Sequence, residues 1–135
     1  MKVVIDTNVF VSSFFGGHPR RIVDHWFSGK LTLCVSRPIF RKYLVVLGRF
    51  QFDREDLFKR LITYFGKGLN TLFVEAPKEQ NWIEDDPEDN KFIACAISLH
   101  AEYIVSGDLH LKKAGRIGEV KIVPPREMLK LIETG

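Results

Sequence analysis

The stretch that most constrains the fold is Lys2-Val3-Val4-Ile5-Asp6-Thr7-Asn8. Three β-branched apolar residues in a row run straight into a carboxylate. A run that is apolar on both faces suits a strand in a parallel sheet covered by helices. In open sheets of that kind the reactive crevice lies beyond the carboxyl ends of the strands. Asp6 is therefore expected at the reactive edge of the sheet.

The rest of the chain alternates between helical and strand patterns. Val9 to Phe15 reads as a short helix closed by Gly16-Gly17. A second helix starts at Pro19, carries Ile22, Val23, Trp26 and Phe27 on one face, and stops at Gly29. Leu31 to Val35 reads as a strand. Ser36-Arg37-Pro38 opens a helix that runs to Gly48, with the serine as cap and proline in the first turn. A further helix opens at Asp53 and closes near Gly66, and Leu72 to Val74 is a short strand. Phe92 to about His100 is apolar nearly all round, the mark of a buried packing helix. Tyr103 to Ser106 and Val120 to Val123 are strands, and Pro124-Pro125 introduces a last helix. This alternation predicts an α/β fold of three layers, a central, mainly parallel sheet flanked by helices. The chain has 135 residues, with no repeat, linker or low-complexity tract, which predicts a single domain over residues 1–135.

Bulk properties narrow the setting. Cys34 and Cys95 both lie inside apolar runs, so they read as buried free thiols in a reducing compartment. No basic-then-apolar leader opens the chain, and no apolar run approaches the roughly 18 residues of a membrane span. A cytoplasmic protein without a membrane partner is expected. The net charge of +3 is compatible with nucleic acid. Basic residues gather at Arg20-Arg21, Arg37, Arg41-Lys42, Arg49 and Lys112-Lys113. Phe14, Phe15, Trp26 and Phe27 read as core or subunit contact.

The chemistry rests with carboxylates. Asp6 and Asp108 follow strands, and Asp89 stands at the mouth of the buried helix. Three carboxylates converging on one sheet edge repel one another unless a cation neutralises them. Oxygen-only ligands suit Mg²⁺ or Mn²⁺, and such a centre supports displacement at phosphorus. A metal-dependent phosphoester hydrolase is the hypothesis. No histidine or cysteine spacing suggests zinc, and no Gly-rich phosphate loop is present. Each acid also has a structural role open to it. Asp6 can cap the helix that follows, Asp86-Pro87-x-Asp89 is a good helix start with Asp86 as cap, and Gly107-Asp108 can be a turn.

Taken in order, Val4-Ile5-Asp6-Thr7-Asn8-Val9-Phe10, Asp86-Pro87-Glu88-Asp89-Asn90-Lys91-Phe92 and Tyr103-Ile104-Val105-Ser106-Gly107-Asp108 resemble a PIN domain. The likeness is greatest to prokaryotic PIN proteins that serve as toxins of toxin–antitoxin pairs, and it extends to Ile122-Val123-Pro124-Pro125-Arg126-Glu127. The resemblance implies a Mg²⁺- or Mn²⁺-dependent ribonuclease in which a metal-activated water cuts the RNA phosphodiester and leaves a 5′-phosphate. It implies Asp6, Asp89 and Asp108 as catalytic, metal-binding acids, with Asn8 and Ser106 as hydrogen-bonding neighbours. A homodimer and a protein antitoxin are the partners it implies besides RNA.

Two positions depart from the family pattern. Where the resemblance calls for a glutamate on the helix after the second strand, this chain has Lys42, with Arg41 beside it. Where it often has an acid after the last Gly-Asp, this chain has His110, read as a bystander. An ammonium directed into a carboxylate cluster takes a cation's place and repels a divalent ion. The alternative is therefore an inactive or weakened PIN-like protein that binds RNA or a protein partner. A phosphatase using Asp6 as nucleophile would want a second acid two residues on, and that residue is Asn8.

Overall fold

The computed structural model describes residues 1–84 and 86–134, so Asp85 and Gly135 lie outside the described residues. Six strands form one sheet: β1 (Lys2–Ile5), β2 (Thr32–Ser36), β3 (Thr71–Val74), β4 (Tyr103–Val105), β5 (Arg116–Ile117) and β6 (Val120–Val123). Their spatial order is β3-β2-β1-β4-β6-β5. All neighbours run parallel except β5 with β6. Among the described residues seven α-helices flank the sheet: α1 (Thr7–Ser13), α2 (Gly17–Phe27), α3 (Arg37–Leu47), α4 (Glu55–Lys67), α5 (Asn90–Ser98), α6 (Leu109–Ala114) and α7 (Pro125–Thr134). The expected α/β architecture is the one observed.

The topology explains where the reactive edge falls. From β1 the chain steps outward through β2 to β3, then returns to lay β4 and β6 on the other side of β1. The direction of winding reverses between β1 and β4, and a crevice opens at such a switch point beyond the strand ends. Asp6 follows β1 and Ser106-Gly107-Asp108 follows β4, so the two acids meet there. The strand ends are tied across the switch, because Asp6 N–H donates to the Val105 carbonyl at 3.0 Å.

Val3, Val4 and Ile5 are fully buried, as a strand covered on both faces requires. α5 lies across the sheet, and Phe92, Ile93, Ala94, Cys95 and Ala96 are buried. An aromatic cluster fills the space between α1, α2, α3 and α4. Phe10 meets Tyr43 edge-on at 4.8 Å and Trp26 at 5.9 Å, and Phe65 stacks on Tyr43 at 5.6 Å. Trp26 Nε1–H donates to the Asn70 carbonyl at 3.1 Å, which satisfies the one polar atom of a buried indole. Phe14 and Phe27 are also core, whereas Phe15 is exposed. Cys34 and Cys95 are buried free thiols, and burial pushes Cys34 up to about 11.

Several element limits differ from the sequence expectation. α4 starts at Glu55 and passes through Gly66. Gly68 stops it, in the left-handed region at φ 63°, where a residue without Cβ is unstrained. α2 begins at Gly17, two residues before Pro19. α6 and β5, between Asp108 and the last strand, were not read from the sequence. Among the described residues no helix is long and apolar enough to cross a membrane.

Candidate metal centre

The second arm of the site is set by a turn and a clamp. Pro87 to Asp89 form one 3-10 turn that leads directly into α5, and Asp89 N–H donates to the Asp86 carbonyl at 3.1 Å. Pro87 suits the first turn, where no N–H partner is available. Asp86 makes no side-chain capping bond there, contrary to its reading as a helix cap. Its carboxylate is left for other work. The loop before it is held by Asn90, which is buried: its Oδ1 accepts from Ile83 N–H at 2.9 Å, and its Nδ2 donates to the Ile83 carbonyl and Asn81 Oδ1, each at 3.4 Å.

The β1 and β4 arms are joined by a directed chain of hydrogen bonds. Ser106 Oγ accepts from Asp108 N–H at 3.0 Å, which turns its own proton toward Asp6 Oδ2, 2.7 Å away. Asp6 Oδ1 accepts from Asn8 N–H at 3.4 Å, so Asp6 also caps α1. Asp108 caps α6 in the same manner, its Oδ1 accepting from His110 N–H at 2.9 Å and Leu111 N–H at 3.2 Å. Capping and site-building are thus compatible: one carboxylate oxygen serves the helix and the carboxylate still faces the crevice. Tyr43, fully buried, donates its hydroxyl to the Ile5 carbonyl and pins the strand end that carries Asp6.

Among the described residues, Asp86, Asp89 and Asp108 bring one carboxylate oxygen each to within 4.8 Å of one another. Asp89 is buried, 5% exposed, and its Oδ2 has no hydrogen-bond partner. A buried carboxylate oxygen without a donor is costly unless a cation satisfies it. Burial, then the like charges of Asp108 and Asp86, push Asp89 up to about 7. Asp6 lies beside this group, not within it. Burial raises its pKa most, Asp108 adds to that, and the Ser106 hydroxyl, Asn8 N–H and Lys42 oppose it. All-oxygen donors of this kind suit a hard divalent cation. Thr7 Oγ1 is also buried without a partner, and nothing in the structure explains it.

Lys42 lies half-buried on α3, its Nζ 5.4 Å from the centroid of the Phe92 ring. Asn8 is exposed and lines a cavity of about 230 Å³ beside Asp108, together with Ser12, Gly107 and Pro125. Two larger cavities, about 610 and 580 Å³, lie away from the acids, one against Asp53 and Arg60 and one against Met1 and His25. Three of the basic residues that gather along the sequence are paired with acids of the chain: Arg20 with Asp24 at 3.1 Å, Arg21 with Glu133 at 2.6 Å, and Arg37 with Glu75. Lys112 and Lys113 are exposed in the last turn of α6.

Asp89 and Asp108 thus come together as the sequence suggests they should. Asp6 stands next to them, and Asp86 enters the group in its place. Asp86 and the clamp Asn90 went unrecognised as site residues because Asp-Pro is an ordinary helix start. The available signal was the density of acids before α5 followed at once by an asparagine.

Comparison with known proteins agrees with this arrangement. Residues 2–110 match the model of the PIN domain. An uncharacterized protein of Methanocaldococcus jannaschii, MJ1680, is 29% identical over 147 aligned positions, which cover 98% of this chain and 92% of that protein. PIN domains are typically metal-dependent nucleases. With the sheet order, the two acidic strand ends and the motif match all in accord, the chain belongs to the PIN domain family.

Proposed function

We propose that this protein is a Mg²⁺- or Mn²⁺-dependent endoribonuclease, the toxin of a toxin–antitoxin pair, acting as one domain over residues 1–135. The observation that carries the reading is the buried, partnerless Asp89 Oδ2 in a carboxylate grouped with Asp86 and Asp108. Asp86, Asp89 and Asp108 would hold the ion. A divalent ion there supplies a water of lowered pKa and charge neutralisation at the phosphodiester. Ser106 holds Asp6 in one orientation at the edge of the group. Tyr43 fixes the strand end, and Asn90 fixes the loop that carries Asp86. Lys112 and Lys113, exposed in the last turn of α6, would meet phosphates without reading sequence. The same reading has RNA as substrate, a homodimer as assembly, a protein antitoxin as partner and the cytoplasm as location.

A second reading is favoured by Lys42. A cation at the Asp6 side lowers the affinity for a divalent ion, and a domain so weakened would bind RNA or a protein partner without cutting. One experiment separates the two: RNA cleavage with Mn²⁺, comparing wild type, Asp6→Asn, Asp108→Asn and Lys42→Glu. A ribonuclease gives 5′-phosphate ends, loses activity in a chelator, and falls on the order of a hundredfold or more in Asp108→Asn. Cleavage seen only in Lys42→Glu supports the second reading. Wild-type cleavage that survives chelation and both aspartate substitutions overturns the first.

A further inference from the structure

We infer that the outer edge of β3 is the docking surface for a second copy of this chain, whose own β3 pairs with it antiparallel across a two-fold axis at Phe73 and joins the two sheets into one. This names the surface of the homodimer proposed above and is independent of the metal-centre reading.

β3 ends the sheet on one side. Leu33 N–H donates to the Asn70 carbonyl at 2.8 Å, and the parallel register sets Leu33 against Thr71 and Val35 against Phe73. In such a ladder alternate residues turn both main-chain groups to the neighbouring strand. Asn70, Leu72 and Val74 therefore face β2, and the N–H and C=O of Thr71 and Phe73 face outward. An open row of this kind is a template for another strand, and exposed edges are ordinarily blunted by shortness, charge, proline or a bulge. The opposite edge of the sheet is blunted: β5 is two residues long, and one of them is Arg116. β3, Thr71-Leu72-Phe73-Val74, is twice as long and carries neither charge nor proline.

What the edge presents decides what covers it. Phe73 is 51% exposed and Leu72 40%, and successive residues of a strand point to opposite faces. The covering strand must then be apolar at consecutive positions, as β3 is itself. On one face Thr71 and Phe73 line a cavity of about 320 Å³ with Val35 of β2, Phe40 of α3 and Phe65 of α4. Facing residues of a hydrogen-bonded antiparallel pair exchange both bonds, and Phe73 can do so with Phe73 of a second copy. That register also sets Leu72 against Val74 and Thr71 against Glu75. The two phenylalanine rings then meet on the cavity face, and Leu72 and Val74 cover each other on the opposite face. Charge agrees with it. Glu75, exposed and paired with Arg37, is the one acid between Lys67 and Lys78. Gly68, next to Lys67, lines the cavity with Thr71. Glu75 of each copy thus comes to the end of the strand where Lys67 of the other copy stands, an opposite-charge pairing at both ends.

A two-fold contact of this kind closes on itself and uses each edge once. Antiparallel joining also points the carboxyl ends of the two parallel sheets in opposite directions. The two groups of acids therefore open on opposite sides, and neither copy completes the other's site.

Sedimentation equilibrium at micromolar concentrations on wild type and Phe73→Lys tests the pairing, with oxidative cross-linking of Phe73→Cys and Val45→Cys. Wild type should dimerise. Phe73→Lys sets two ammonium groups against each other on the axis and should dimerise on the order of a hundredfold more weakly, while binding Mn²⁺ as wild type does. The Thr71 amide should exchange hydrogen slowly in wild type and rapidly in this variant. Phe73→Cys should form a covalent dimer, because facing Cα atoms of such a pair lie about 5.5 Å apart, within reach of a disulfide. Val45→Cys, exposed on α3, should not. Cys34 and Cys95 are buried and stay out of the reaction. A wild type that stays monomeric overturns the inference together with the homodimer reading, and leaves the edge to a segment of another protein. A dimer that Phe73→Lys does not weaken, or one cross-linked through Val45→Cys and not through Phe73→Cys, overturns the surface and keeps the homodimer. If Phe73→Lys does not fold, the two cysteine variants decide. Mn²⁺ bound by wild type and lost in a folded Phe73→Lys overturns the opposed arrangement of the sites.

Discussion

Asp89→Asn exposes the energetics of the centre most plainly. The carboxyl of Asp89 is raised from 3.8 to about 7 by burial and by the charges of Asp108 and Asp86. A raised folded-state pKa means that the native chain holds a proton that the unfolded chain has lost. The stability tied to that proton is fully present below the unfolded value of 3.8 and is lost as pH rises through about 7. Across that window the slope is about 1.4 kcal/mol per pH unit, so the whole effect is at most about 4 kcal/mol. Asparagine cannot ionise and is indifferent to this change. The stability of the variant relative to wild type should therefore improve by about 3 kcal/mol on going from about pH 5 to about pH 8, whatever fixed cost its amide brings. Urea denaturation of the metal-free proteins at the two pH values measures it. Parallel behaviour of the two proteins would refute the claim that Asp89 is a buried, like-charged acid. Mn²⁺ inverts the comparison: at a hundredfold excess over its dissociation constant it should return about 2.7 kcal/mol to wild type and much less to the variant.

Other consequences concern the groups that hold the acids in place. Ser106→Ala strips the donor from Asp6 Oδ2. It should cost about 1–3 kcal/mol in denaturation at neutral pH, with less loss in acid, where a protonated Asp6 no longer needs the donor. Asn90→Ala leaves the buried Ile83 N–H without its partner and frees the loop carrying Asp86. It should cost a similar amount, about 1–3 kcal/mol, and calorimetry should show Mn²⁺ bound roughly tenfold more weakly.

Much of this arrangement was legible before any coordinates. Val3-Val4-Ile5-Asp6 announces a covered strand that delivers an acid, and Tyr103 to Asp108 repeats the device, so two arms of the site follow from local pattern and the parallel-sheet rule. α5 was equally open to reading, because a helix that is apolar nearly all round is expected to pack inside, and Phe92 to Ala96 do so. What was hidden depends on contacts between distant residues. Asp86 looks like a cap because Pro87 follows it, and only the absence of a capping bond releases it for the group of acids. Asp6 looks like a direct member of that group, but its oxygens are engaged by Ser106, a hundred residues on, and by Asn8. The limit of α4 at Gly68 in place of Gly66 turns on backbone handedness, which a pair of closely spaced glycines does not disclose. α6 has only six residues and β5 two, too short for periodicity to declare either.

The central claim is that Asp86, Asp89 and Asp108 surround a divalent cation. Anomalous diffraction from crystals grown with Mn²⁺ near neutral pH or above tests it directly. The account predicts an anomalous peak among these three carboxylates, with Asp89 Oδ2 as a ligand and Asp6 retaining its bond from Ser106. A peak centred on Asp6 and remote from Asp89, or a site left without Mn²⁺ when the ion is in large excess, would contradict it.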